Sequence, residues 1–249
     1  MDPKALAIRK ACRRKLAAIY RSPDRFDVCL TPCDLEKIAI QQIPMTLEED
    51  NRPEFIARYA APVDKPNIDT LEDYITLDEV PFCSAMAIAG YLSNYFDHVE
   101  LPESDSNPAG ADWGDFNFGD LVDLTMGRQW LVHTTWHMES IGAPHMVVMM
   151  YNEMEEPNGL FHGEIKTAIC VMHGRLKDPE LPGHVFAPVL LFSAIGKHHL
   201  RIIEAYHNGE HLVMRTTQPF DMTERNDDLF IELSRWRLGG PASKSTKIA

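Results

Sequence analysis

The chain of 249 residues is 45% apolar and 24% charged, and it carries a formal net charge of −13 at pH 7. No apolar run approaches the roughly 20 residues of a membrane-spanning helix, which excludes an ordinary integral membrane protein. The start of the chain lacks the apolar core and the small-residue cleavage site of a secretory signal. We therefore expect no membrane partner and a cytoplasmic location.

Charge is distributed unevenly along the chain. Residues 1–30 hold 8 Lys or Arg and 3 Asp or Glu, residues 31–160 hold 5 and 24, and residues 161–249 hold 11 and 10. The acidic bulk of the chain would repel a polyanion, which argues against a nucleic-acid partner, since phosphate contacts require a basic face. The basic first segment either binds an acidic partner or docks on the acidic middle of its own chain, and we expect the second.

Cysteines and histidines show no metal-site spacing. The five cysteines are irregularly placed, and Cys29 and Cys33 are not followed by a second pair at zinc-site spacing. His133 and His137 share a predicted strand, where they would lie about 13 Å apart at ~3.3 Å per residue. A Walker loop and a dinucleotide-binding glycine motif are also missing. We therefore expect no metal and no cofactor.

The first half of the chain is predicted to be helical and irregular. Apolar residues at helical spacing predict a helix from Pro3 to about Tyr20, and a second short helix is expected after Thr31. Residues 44–80 are acidic and punctuated by prolines, so we expect irregular structure there. Residues 81–97, which are small or apolar nearly all round, predict a buried helix. A long loop follows over residues 103–120.

From residue 128 the apolar period changes to two, which predicts six successive strands. Most of them follow one another too closely for a crossover helix, so the sheet should be mainly antiparallel. A helix over residues 223–238 and a mobile tail end the chain. The strand segments are RQWLVHTTWHM, PHMVVMMYNE, LFHGEIKTAICVMH, VFAPVLLFSAI, HLRIIEAYH and HLVMRTTQ.

These elements predict the α+β class. Helices come first, a curved, mainly antiparallel sheet or open barrel of about six strands follows, and a helix packs on it. Residues 1–127 would form a helical and irregular part that packs on the sheet, and residues 128–249 would form the sheet and the last helix. We expect the two parts to make one structural domain.

A cluster of polar residues lies on two of the predicted strands. If residues 157–159 close a hairpin, Tyr151 lies opposite Glu164, and His162 and Lys166 share their face. All four residue types can move protons or polarise a carbonyl, which makes them candidate catalytic residues. The alternative is that Glu164 and Lys166 form an ordinary surface pair contributing about 1 kcal/mol or less.

A second polar group lies on the next hairpin. With a two-residue turn at Asn208-Gly209, Glu204 faces Val213 and lies diagonal to Arg215. Glu204 and Arg215 form either a structural ion pair or, if the sheet curls, part of a substrate site with Arg215 as a carboxylate or phosphate clamp.

Two more residues are candidate substrate contacts. His133 lies on the polar face of the first predicted strand, and Trp113 is one of the aromatic residues of the long loop. Long loops are often lids or functional segments, although this one could equally be a loop pinned by its aromatic residues.

Two resemblances bear on function. Glu164-Ile165-Lys166 with Glu153 resembles the PD-(D/E)xK nuclease superfamily, from which the chain departs because a Pro-Asp pair is absent and no helix is predicted after the Glu-x-Lys strand. The run HVFAPVLLFSAIGKHHLRIIEAYHNGEHLVMRTT and the later RWRLG resemble uncharacterised small proteins of filamentous fungi. The second resemblance covers about the last 70 residues and implies a role in a natural-product pathway.

Three functions are consistent with these features. The first is a cofactor-independent acid-base enzyme, an isomerase, cyclase or dehydratase, that acts on a small, largely apolar substrate. The second is a non-catalytic binding or scaffold protein whose acidic middle meets a basic partner. The third is a metal-dependent nuclease. A homo-oligomer is compatible with all three.

Overall fold

The structure is a computed structural model that describes residues 2–67, 74–102, 110–112, 121, 129–137, 142–155 and 159–247. Within these ranges, the chain forms five α-helices and twelve short or long strands. The helices are α1 Pro3–Tyr20, α2 Pro32–Lys37, α3 Pro81–His98, α4 His162–Arg175 and α5 Asp227–Arg237. The strands are β1 Cys29–Leu30, β2 Ile40–Pro44, β3 Ile56–Ala57, β4 Gly110–Asp112, β5 Trp130–His137, β6 Met146–Asn152, β7 Leu160–Phe161, β8 Val189–Ile195, β9 His199–His207, β10 Leu212–Thr216, β11 Phe220–Asp221 and β12 Gly240–Pro241.

An open sheet organises the fold and confirms the predicted α+β class. Its strand order is β2-β10-β9-β8-β6-β5-β4, and β11 pairs with β9, so the described part of this sheet contains eight strands. Pairing is antiparallel except at β2 with β10 and β6 with β8. The sheet is therefore mainly antiparallel, as predicted, and it does not close into a barrel.

Helices cover both faces of this sheet. On the α1/α4 face, buried residues of the two helices pack on Met146, Val148 and Met150 of β6. On the opposite α3/α5 face, the aromatic residues of both helices pack on Val147 and Met149. The alternation of β6 residues between two apolar layers explains why the strand is buried along its whole length.

The prediction of a strand over LFHGEIKTAICVMH is wrong, since α4 occupies most of this segment. Ile165, Ala168, Ile169 and Met172 recur at helical spacing, and all four are buried. Their period was ambiguous because the short apolar run over residues 168–172 fits a buried strand as well as a helix. The helix is the crossover that parallel strands require, which is why β6 and β8 are parallel.

The hairpin of β9 and β10 differs from the predicted register by a longer turn. Asn208 Oδ1 accepts hydrogen bonds from the backbone N–H groups of Glu210 and His211, at 2.9 and 2.8 Å. This side-chain turn extends the loop beyond two residues. As a result, Glu204 lies directly opposite Arg215 and not opposite Val213.

The two ends of the chain also depart from expectation. The basic helix α1 docks on the chain itself, but on α4, which lies outside the acidic middle. Its buried Arg9 donates hydrogen bonds to the carbonyl oxygens of Leu176 and Asp178, at 3.0 and 2.8 Å, just after α4 ends.

The tail that was expected to be mobile is hydrogen-bonded, with the N–H of Val185 donating to the carbonyl of Thr246 at 2.8 Å. The predicted loop residue Trp113 lies outside the described residues.

The close approach of α4 to Trp130 can be tested by substitution of Gly163. A Cβ at Gly163 would lie 2.4 Å from Cγ of Trp130, whereas a Cβ at Gly90 in α3 meets its nearest neighbour at 3.5 Å. We expect Gly163→Ala to lower the free energy of unfolding by roughly 1–3 kcal/mol through overpacking. Gly90→Ala, the matched helical control, should be neutral or stabilising by roughly 0.5–1 kcal/mol. Denaturant unfolding measures both, and equal effects would contradict the close approach of α4 to Trp130.

Candidate functional site

Strand β9 presents one charged side chain to each face of the sheet. Arg201 lies on the α1/α4 side together with Ile203 and Ala205, whereas Glu204 shares the α3/α5 side with Leu200. Both charged residues are almost completely buried, at 2% and 0% exposure. A buried charge requires an opposite charge and hydrogen bonds. Each of the two residues finds its partner in a different part of the chain.

Arg201 is the partner of Glu164. The guanidinium Nε donates to Glu164 Oε1 at 2.7 Å, Nη2 donates to Oε2, and the same nitrogen reaches the carbonyl of Gly159 at 2.8 Å. Glu164 Oε2 also accepts the backbone N–H of Phe161 at 2.9 Å, which caps the start of α4. The arginine lies over the Phe161 ring at 4.7 Å. This bidentate pair is the strongest type of ion pair, and it occupies both oxygens of Glu164.

Lys166 and His162 point away from this pair. Lys166 Nζ lies 2.5 Å from Asp24 and 5.4 Å from the centre of the Tyr20 ring. Residues two apart on a helix do not face each other, so Glu164 has neither of these side chains as a neighbour on its own face. Burial, followed by the charge of Lys166, lowers the pKa of His162 below its usual value.

Tyr151 and His133 lie on the opposite side of the sheet. Their rings are 6.3 Å apart, and Tyr151 also packs edge-on against Phe82 of α3 at 5.2 Å. Burial raises the pKa of Tyr151 and lowers that of His133. The sheet separates Tyr151 from Glu164, because Tyr151 belongs to the α3/α5 layer. The proposed pairing across a hairpin therefore does not form.

A β-bulge also changes the faces of β5. The register with β6 shifts between Val132 and Thr134, so His133 is the extra residue of the bulge. Beyond it, His137 pairs with Met146, which belongs to the α1/α4 layer. The two histidines thus lie on opposite faces, which the simple alternation of a regular strand does not predict. Among the described residues, no group of three or more His, Cys, Asp or Glu side chains could hold a metal ion.

Glu204 and Arg215 form the second buried pair. Arg215 Nη1 lies 3.2 Å from Glu204 Oε2 and donates to the carbonyl of Arg52 at 2.8 Å, while Nη2 donates to Asn51 Oδ1 at 2.9 Å. Glu204 accepts two further hydrogen bonds, from the backbone N–H groups of Glu54 and Phe55 at 2.9 and 2.8 Å. Burial raises the pKa of Glu204. The sequence left two alternatives for Glu204 and Arg215, a structural ion pair or a substrate site. The structure shows that the two residues form an ion pair.

An open groove lies above this second pair, and we call it the Arg215 groove. Its volume is about 580 Å³, and both acidic and basic side chains line it. The lining residues are Glu49, Asp50, Asn51, Arg52, Pro53, Glu54, Ile56, Ala57, Arg58, Arg215, Ala242, Ser243 and Lys244. Because it contains one predicted substrate-binding residue and has Glu204 beneath it, the Arg215 groove is the candidate functional site.

The described residues contain two other notable grooves. One of about 700 Å³ runs along β2, and another of about 550 Å³ lies beside the start of α5. The second is acidic, with Asp221, Glu224, Asp227 and Asp228 among its lining residues. All three grooves are open to solvent and none is an enclosed substrate cavity.

Arg201 is the residue that sequence reasoning missed. It is the one Lys or Arg in the largely apolar strand HLRIIEAYH, and a fully buried arginine requires acceptors that satisfy its charge. That signal could have marked Arg201 as half of a buried pair. It could not have named Glu164 as the other half, because the two residues are brought together by the β6-α4-β8 crossover.

No protein-family model, no curated protein and no solved structure matches this chain. In the part of the chain that the structure describes, no helix is both long and apolar enough to cross a membrane. The site must therefore be interpreted from its own geometry.

Neutralising Glu164 should strongly destabilise the fold. We expect Glu164→Gln to lower the free energy of unfolding by about 3–5 kcal/mol, because it leaves the buried charge of Arg201 without its partner. Asp24→Asn, which removes the exposed partner of Lys166, should cost less than about 1 kcal/mol. Denaturant unfolding of both variants tests this difference. A loss below about 1 kcal/mol for Glu164→Gln would show that the pair does not anchor α4.

Stability should also fall as the solution becomes acidic. Burial, followed by the charges of His184 and Arg175, lowers the pKa of His145 to about 4, and burial lowers that of His207 to about 4. Since both groups have a pKa near 6.5 in the unfolded chain, only the unfolded state takes up protons between those values. The free energy of unfolding should therefore decrease by roughly 1.4 kcal/mol per pH unit for each histidine as the pH falls from about 6.5 to about 4.

Urea unfolding across this pH range measures the effect in the wild-type protein and in His145→Asn. The variant should show a smaller pH dependence, because one of the two proton-binding groups is absent. At about pH 8 histidine is neutral in both states, so the difference between the proteins there reports lost packing alone. An identical pH dependence in both proteins would contradict the lowered pKa of His145 in the folded state.

Proposed function

We propose that this protein is a non-catalytic binding protein whose acidic surface takes a basic protein partner. The proposal rests on the hydrogen bonds that the two buried carboxylates accept. Glu164 and Glu204 are both bound by an arginine and by backbone N–H groups. A carboxylate whose oxygens are saturated in this way acts as a structural anchor and is poorly placed to exchange protons with a substrate.

The separation of the candidate residues supports the same conclusion. Glu164 lies on the α1/α4 face, Tyr151 on the α3/α5 face, Lys166 beside Asp24, and Arg215 at the floor of an open groove. Acid-base catalysis requires its groups within hydrogen-bond reach of one reacting molecule. Small-molecule sites are also usually concave and mostly enclosed, unlike the three open grooves among the described residues.

The surface charge favours a basic partner. Residues 31–160 contain 24 acidic and 5 basic residues, and the exposed Glu49 and Asp50 line the Arg215 groove. A separate groove beside the start of α5 is lined mainly by acidic side chains. A surface of one sign attracts a partner of the opposite sign over several ångströms and accelerates its binding.

The other expectations from the sequence stay predictions. An acid-base enzyme would need a site that includes residues beyond those described, since the described candidates are dispersed. A nuclease would need a Glu-x-Lys strand, whereas Glu164 and Lys166 lie on a helix. A place in a natural-product pathway, a homo-oligomer and a cytoplasmic location are compatible with a binding role, and a binding protein could serve such a pathway without catalysing a step.

Charge reversal at the groove tests the proposed function. We expect the double variant Glu49→Lys, Asp50→Lys to bind a fluorescent lysine-rich peptide at least about tenfold more weakly than wild type at low salt, because attraction becomes repulsion. Fluorescence anisotropy measures the affinity, and added salt should weaken wild-type binding.

The matched control is the double variant Glu180→Lys, Glu210→Lys, which changes the net charge equally at exposed sites outside the groove. Its affinity should remain closer to that of wild type. Equal weakening in the two variants would assign the binding to net charge alone. Absence of any salt-dependent binding by the folded wild type would reject the proposed function.

A further inference from the structure

The last described residues, 240–247, form a strap that passes along the Arg215 groove. It begins as β12, which pairs with β3, and continues through a hydrogen bond from the N–H of Ala242 to the carbonyl of Phe55 at 2.8 Å. Its far end is fixed where the hydroxyl of Thr246 lies 2.6 Å from Nδ1 of His184. The strap is therefore held at both ends, with Lys244 between them.

Lys244 is bound by a set of side chains that we call the lysine cage: Glu54, Phe55 and Tyr206. Its ammonium group lies 4.5 Å from the centre of the Phe55 ring and 5.0 Å from that of Tyr206. The same group forms an ion pair with Glu54. The two rings are 4.7 Å apart and inclined at 53°, so they form a corner. Two aromatic faces and a carboxylate are the groups that recognise an ammonium ion.

The cage is positioned by the buried pair beneath it. Glu204 accepts the backbone N–H groups of both Glu54 and Phe55, which fixes these two residues against Tyr206 on the same strand face. Arg215 in turn holds Glu204 and the preceding loop. A recognition site whose walls are fixed by a second layer of hydrogen bonds loses little entropy when it binds a ligand.

The cage remains accessible despite its buried rings. Phe55 and Tyr206 are 2% and 8% exposed, whereas the side chains of Lys244 and Glu54 are 45% and 38% exposed. The ammonium thus enters from the solvent side, through the Arg215 groove that Lys244 and Glu54 also line. A lysine from another chain has the same route of approach.

We propose that the lysine cage is a recognition site for a lysine side chain of a basic partner segment, and that Lys244 fills it intramolecularly. This inference rests on the proposed binding function and names the chemistry that the partner must present. A tethered ligand acts at a high effective concentration, so Lys244 masks the cage from isolated lysines. A basic segment with additional contacts to Glu49 and Asp50 in the groove has the advantage needed to displace it.

Removal of the intramolecular ligand tests this inference. We expect Lys244→Ala to bind a fluorescent lysine-rich peptide about fivefold or more tightly than wild type, as one cation–π site becomes free. Lys247→Ala, which removes an equal charge from the same strap but leaves Lys244 in the cage, should bind like wild type. Adding Glu54→Gln to Lys244→Ala should abolish the gain, since the cage loses its carboxylate. Circular dichroism and thermal unfolding verify that each variant is folded.

The outcomes separate this inference from the proposed function. A gain limited to Lys244→Ala and lost with Glu54→Gln supports the cage. Equal affinities of Lys244→Ala and Lys247→Ala overturn the cage, and the proposed function then stands if wild type still binds in a salt-dependent way. If no folded variant binds the peptide, both are overturned.

Discussion

The ion pair between Arg201 and Glu164 is the contact on which the arrangement of this protein depends. It joins the central strand β9 to the first turn of α4, and thereby fixes the crossover that makes β6 and β8 parallel. Removing one partner of such a buried pair costs about 3–5 kcal/mol, while whole domains are stable by only about 5–15 kcal/mol. The pair therefore contributes a large part of the stability of the fold, together with the buried apolar residues of α4.

The same strand supports a second pair on its other face, and that pair serves a different purpose. Glu204 is held by Arg215, and its oxygens fix the backbone of Glu54 and Phe55. This arrangement reaches the surface, where Glu54 and Phe55 contact Lys244, which also lies over the Tyr206 ring. Glu204, which the sequence left open as a structural ion-pair partner or a substrate contact, thus fixes the two residues that contact Lys244.

Elements whose sequence pattern fits only one type of secondary structure were predicted correctly. Helix α1 was predicted with its observed bounds, and α3 within one residue, because small and apolar residues at helical spacing fit no strand. The Glu164 segment failed because its apolar residues fit both periods. The bulge at His133 was missed because a single added residue reverses which face each later side chain of the strand occupies. The longer Asn208 turn adds two residues, so it moves Glu204 from Val213 to Arg215 without changing its face.

The sequence by itself determined the α+β class, the mainly antiparallel pairing, the net negative charge and the absence of recognised cofactor motifs. These properties follow from composition and local periodicity. Only the tertiary structure decided the partners of the charged residues: Arg201 with Glu164 across the crossover, and Lys244 with Phe55 and Tyr206 at the strap. Partners distant in sequence are chosen by the packing of whole elements, because a buried charge accepts whichever opposite charge the fold places beside it.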